Sequence, residues 1–208
     1  TNTVRQLRSP RAFLLTAETA LGHPIEVVSG REEARLIYLG VAHTTPSDGG
    51  PRLVVDIGGG STELIIGEGL AAKRLDSLYI GCVSMSTQHF ADGVVTEKRM
   101  KRARTAAQPE SEPAMAGARR PGWETAIGAS GTMRAVSDTL LARGAGGGNI
   151  TREGIEWLLG ECLRAGRRGD VAADHLHGRV ALLHVLHAVE HALRMAVRRV
   201  DDDDVHTR

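Results

Sequence analysis

Aromatic side chains make up only 3% of the 208 residues. A core built on ring packing is therefore excluded, and so is a row of stacking platforms for nucleobases. Cysteine is almost as scarce: Cys82 and Cys162 stand far apart, in no C-x-x-C spacing. That excludes a disulfide framework and a zinc ribbon, and makes a reducing cytoplasm the default compartment. There is no excess of either charge, because 26 Lys and Arg face 25 Asp and Glu for a formal net charge of +1. No global basic field points to nucleic acid, and a polyanion would have to be bound locally. No apolar run approaches the roughly 20 residues needed to cross a bilayer, and the beginning of the chain has no signal-peptide core, so no membrane partner is expected.

What remains is an ordinary globular composition, 41% hydrophobic and 25% charged, with 25 glycines. At roughly 150 residues per domain, the chain holds one large domain or two small ones. Apolar residues Phe13, Leu14, Ala17, Ala20 and Leu21 follow Pro10 at helical spacing. Residues 24–28 read as a short strand, and 32–41 as an amphipathic helix behind Ser29-Gly30. Turn formers crowd residues 44–51, the best domain boundary in the chain. Beyond it, strand character is expected over 53–57, 62–66 and 72–80, with a glycine hairpin joining the first two. A helix over 96–107 is expected to break at the prolines of 108–113, before a strand at 123–127, a small-residue turn at 128–132 and a helix over 133–143. Residues 144–148 read as a flexible linker, Thr151 as a helix N-cap, and 174–200 as one long helix.

Two of these units have the chemistry of a phosphate cradle. Successive glycines take positive φ freely and let amide groups converge on an anion, which Gly58-Gly59-Gly60 offers together with the hydroxyls of Ser61 and Thr62. Asp56 and Glu63 bracket the same loop with carboxylates suited to a hard, oxygen-ligated ion such as Mg²⁺. The competing reading is a structural hairpin flanked by surface acids. Gly128-Ala129-Ser130-Gly131-Thr132 is the second unit, with a plain strand-to-helix corner as its competitor.

Three segments in this order, Ser29-Gly30-Arg31-Glu32-Glu33-Ala34-Arg35-Leu36, Asp56-Ile57-Gly58-Gly59-Gly60-Ser61-Thr62-Glu63-Leu64 and Gly128-Ala129-Ser130-Gly131-Thr132, resemble the exopolyphosphatase and guanosine pentaphosphate phosphatase family. The resemblance extends to Ile80-Gly81-Cys82-Val83-Ser84 and covers the chain to about residue 165. It implies an α/β, ribonuclease-H-like fold of the actin, sugar-kinase and heat-shock ATPase type. The later part of a first domain would lie at 1–45, a linker at 46–51 and a second domain at 52–208. By resemblance Glu33 is the general base, and Arg5 clamps a phosphate with its planar fork. Gly58, Gly59, Gly60, Ser61, Thr62 and Gly131 bind phosphate, while Asp56 and Glu63 hold Mg²⁺. The implied substrate is the terminal phosphoanhydride of polyphosphate or of guanosine pentaphosphate, and the implied assembly a homodimer. The family's earlier Asp-x-Gly-Ser-Asn loop and later Ser-Asp-Gly-Ala turn have no counterpart in these 208 residues. A module that binds polyphosphate or guanosine tetra- and pentaphosphate without hydrolysing it is therefore the alternative, and an ATP-dependent kinase a weaker third.

Other features have plainer readings. His184, His187 and His191 suit a partly exposed helix face better than a metal site, since the H-E-x-x-H pattern is missing. Lys98, Arg99, Lys101, Arg102 and Arg104 could follow a polyanion but read first as a solvated helix surface. Asp201 to Asp204 read as a charged terminus.

Overall fold

The computed structural model describes residues 2–5, 7–46, 49–119, 122–144 and 149–166. The expected helix at 174–200, its histidines and the terminal aspartates lie outside the described residues. Strands β1 (Arg52–Ile57), β2 (Thr62–Glu68), β3 (Ala71–Leu78) and β4 (Thr125–Gly128) form one sheet in the order β3-β2-β1-β4. β1 pairs antiparallel with β2 and parallel with β4, and β2 pairs antiparallel with β3. The central strands read as near-continuous apolar runs because both of their faces are covered.

Alternation along β1 and β2 deals their side chains to two layers. Val54 and Ile65 meet Ala34 and Tyr38 of helix α3 (Gly30–Thr44) on one face. Leu53, Val55, Ile57, Leu64 and Ile66 face the larger core on the other. That core is closed by helices α4 (Cys82–His89), α5 (Glu97–Arg119), α6 (Gly131–Ala142) and α7 (Arg152–Ala165). Tyr38 is fully buried and donates its hydroxyl to Gly69 O at 3.1 Å. Its ring fits because Gly67 has no Cβ, which would stand 2.2 Å from Tyr38 Cζ. Helix α3, read from the sequence as the end of a first unit, thus packs on the sheet of the second. Two further helices, α1 (Asn2–Arg5) and α2 (Pro10–Leu21), precede it, and α2 buries no residue.

Two expectations need correction, and one helix lies where none was expected. Residues 24–28 pair with no strand among the described residues, and their polar contacts go instead to side chains: Ile25 N–H donates to Glu18 Oε1 at 2.9 Å. The prolines at 109 and 113 do not end α5. Met100, Ala103, Ala107, Ser111, Ala114 and Ala118 recur at helical spacing and are buried, so packing of this face outweighs the local cost of proline. The segment 82–89 is a helix that the sequence reading did not mark. Among the described residues no helix is long and apolar enough to cross a membrane.

Candidate active site

Register, rather than any single motif, assembles the site. Asp56 of β1 lies directly opposite Glu63 of β2, and Glu63 opposite Ser77 of β3, on the face that carries α3. Two carboxylates facing each other across an antiparallel pair repel, so this arrangement by itself opposes stability. Burial raises the Asp56 carboxyl above the ordinary range, and the nearby Glu33 charge raises it further. Burial raises Glu63 as well, with Glu33 and Asp56 adding to it, against the lowering effect of hydrogen bonds from Ser77 and Ser61.

Glu33 reaches this pair from the first turns of α3. Ser29 caps that helix, its Oγ accepting from Glu32 N–H at 3.2 Å. Adjacent helical side chains diverge by about 100°, and the structure separates the two glutamates accordingly. Glu32 is exposed and pairs with Arg35, whose hydrogen bonds hold its carboxyl below the usual value. Glu33 turns inward, where its Oε2 lies screened from solvent 2.8 Å from Arg5 Nη2 in an ion pair lacking hydrogen-bond alignment. Arg5 is only 17% exposed and also donates from Nη1 to Val28 O at 3.1 Å. It is not a stray residue of a frayed end. The structure therefore brings Arg5, Glu33, Asp56 and Glu63 together.

The glycine loop is held from behind by α4. Gly58 O accepts from Cys82 N–H at 2.9 Å, and Gly59 O from Val83 and Ser84 N–H at 2.8 and 3.0 Å. Since C=O and N–H point opposite ways in a trans peptide, these bonds turn the Gly59 and Gly60 amides away from α4. Gly81 makes this possible: a Cβ there would lie 2.4 Å from Gly59 C and O and Gly60 N. A cleft of about 580 Å³ runs beside the loop, lined by Leu7, Gly59, Gly60 and the exposed Val83, Thr87 and Gln88.

Not every expected phosphate donor is placed for that task. Gly58 N–H closes the hairpin on Ser61 O at 2.9 Å. Thr62 is buried, and its hydroxyl donates to Ile80 O at 2.6 Å. Ser61 is also buried, with its hydroxyl on the Glu63 carboxylate. Gly131 stands at the open N-terminus of α6, with nothing within 4 Å of where a Cβ would sit. That turn is stitched to the end of β1: Ser130 Oγ accepts from Ile57 and Met133 N–H, both at 3.2 Å, and Thr132 Oγ1 donates to Ile57 O at 2.6 Å.

Among the described residues no group of three or more His, Cys, Asp and Glu side chains could by itself hold a metal ion. Mg²⁺ makes no such demand, because it keeps several waters and takes one or two carboxylates together with substrate phosphates. Asp56 and Glu63 fit it: both offer hard anionic oxygens, and they face each other across β1 and β2.

The fold is that of the Ppx/GppA proteins among solved structures, an actin-like ATPase fold. The model of the Ppx/GppA phosphatase family matches residues 1–189, and the chain belongs to that family. It is 43% identical over 176 residues to a guanosine-5'-triphosphate,3'-diphosphate pyrophosphatase of Aeromonas hydrophila, covering 85% of this chain and 35% of that protein. A protein of the same name from Aeromonas salmonicida is 42% identical over 167 residues, covering 80% and 33%. The chain thus spans about a third of the length of these relatives. Among solved structures it is similar to an exopolyphosphatase from Cytophaga hutchinsonii, with TM-score 0.76, 20% identity, and coverage of 92% of this chain and 65% of that one. A family member from Aquifex aeolicus gives 0.70, 24%, 92% and 64%.

Proposed function

We propose that the chain carries a hydrolytic site for terminal phosphoanhydrides, releasing orthophosphate from guanosine pentaphosphate, from polyphosphate, or from both. One observation carries this reading. Of two adjacent glutamates, the one that the family resemblance marks as the base stands over the Asp56–Glu63 pair and beside Arg5, while its neighbour is spent on Arg35. Glu33 takes a proton from the attacking water, a task worth about 10²–10⁴-fold in rate. Arg5, whose planar fork already spans Val28 O and Glu33, orients both the base and a phosphate oxygen. The Gly59 amide meets the phosphate from the loop, and Gly131 meets it from the open N-terminus of α6. Asp56 and Glu63 would hold Mg²⁺, which when bound neutralises charge on the transferring phosphoryl group. A reducing cytoplasm is the compartment in which two free thiols, Cys82 and Cys162, persist by default.

The test is orthophosphate release with Mg²⁺ from guanosine pentaphosphate and from medium-length polyphosphate. Glu33→Gln should abolish release while leaving substrate binding in place, and Glu32→Gln should behave as wild type. Binding without release by the wild-type chain would establish the binding-module reading instead.

A further inference from the structure

The row Asp56, Glu63, Ser77 ends in a side chain that the family resemblance gave no role. Ser77 Oγ donates to Glu63 Oε1 at 2.9 Å, and Glu63 is only 2% exposed. The same hydroxyl lies directly under the beginning of α3. A Cβ on Gly30 would stand 2.4 Å from Ser77 Oγ and 2.8 Å from Ser77 Cβ, so that helix rests on Ser77 with no room to spare. Gly30 lies one turn before Glu33, so Ser77 also sets the height at which the base enters the site.

We propose that Ser77 is a positioning residue for the divalent cation, holding the Glu63 carboxylate beside Asp56 so that the two present one paired donor set. The need for it follows from the repulsion between the two carboxylates. A Glu side chain has enough rotamer freedom to swing away from a facing Asp, and a hydroxyl bond to one oxygen removes that freedom. Ser61, in the turn just before β2, also hydrogen-bonds this carboxylate. Ser77 lies between this carboxylate and the first residue of the helix that carries Glu33. This inference rests on the hydrolase reading of the site and deepens it.

Ser77→Ala removes the hydroxyl but keeps the Cβ on which Gly30 rests, so the fold is retained. Binding of Mn²⁺, used as the probe and followed by electron paramagnetic resonance, should weaken about 10-fold, the effect expected for an outer partner of a metal ligand. The Mg²⁺ concentration for half-maximal phosphate release should rise by a similar factor, more than kcat falls at saturating Mg²⁺. A generally loosened structure would instead lower kcat with no selective loss of Mn²⁺ affinity. Equal Mn²⁺ affinity in wild type and Ser77→Ala, or no Mn²⁺ binding by the wild type, would overturn the proposal. If the wild type released no phosphate yet Mn²⁺ binding still depended on Ser77, the hydrolase reading would fall and the role of Ser77 would stand.

Discussion

Neutralising a carboxylate in the middle of this site should make the metal-free chain more stable. Glu63→Gln preserves shape and leaves a carbonyl oxygen to accept from Ser77, but removes one of two charges that face each other across β1 and β2. Unit charges about 6 Å apart at an effective dielectric of about 20 repel by roughly 3 kcal/mol. Partial exposure of Asp56 and salt screening reduce that to about 1–2 kcal/mol. For a chain of this size the gain corresponds to a Tm higher by about 2–8 °C, measured by circular dichroism in EDTA at pH 7. If the folded pair holds Mg²⁺ as proposed, the ion should raise the wild-type Tm and do little for the variant.

The pH dependence follows from the raised carboxyls. Folded Asp56 and Glu63 keep their protons to higher pH than the unfolded chain does. Their contribution is most favourable below the ordinary carboxylate range and is lost as pH rises through the raised folded values. Acidification through that window should therefore bring wild type and Glu63→Gln together. A variant less stable than wild type in EDTA at pH 7, or a difference indifferent to both pH and Mg²⁺, would refute the claim that these carboxylates are held against their repulsion.

Gly81→Ala puts a Cβ against loop backbone that cannot yield, so α4 must lift and loosen the amide bonds of Cys82, Val83 and Ser84. At about 1 kcal/mol for each bond the cost is roughly 3 kcal/mol, or about 6–12 °C in Tm, and thermal melting should show a drop of that size. Arg5→Lys keeps the charge but loses the fork that spans Val28 O and Glu33. Its kcat/KM for phosphate release should fall about 10-fold, a loss of roughly 1.4 kcal/mol of transition-state stabilisation, whereas a wild-type value would mean that charge alone suffices at this position.

How much of this site was legible beforehand depended on whether the deciding contact was local. The β1 and β2 runs, the Ser29 cap and the Ser130 turn carry their signals within a few residues, and the structure has them where those signals point. Pro109 and Pro113 mislead because local cost is all a sequence window sees, while the buried face of α5 is set by a sheet far away in the chain. Gly58 and Thr62 mislead for the converse reason: each is a competent phosphate donor by composition, yet the hairpin and Ile80 O take those hydrogens first. Ser77 and Gly81 carry no local signal. The importance of Ser77 lies in a register across three strands, and that of Gly81 in a loop more than twenty residues earlier. The pair Glu32 and Glu33 lies between these cases, since helical geometry alone requires that one of them face the sheet but does not say which. The choice is made by tertiary contacts, Arg5 on one side and Asp56 and Glu63 beneath. A glutamate in that position gains an arginine partner and also adds to the repulsion of the facing carboxylates. The site is therefore built at the expense of stability, and a cation is the partner that would recover it.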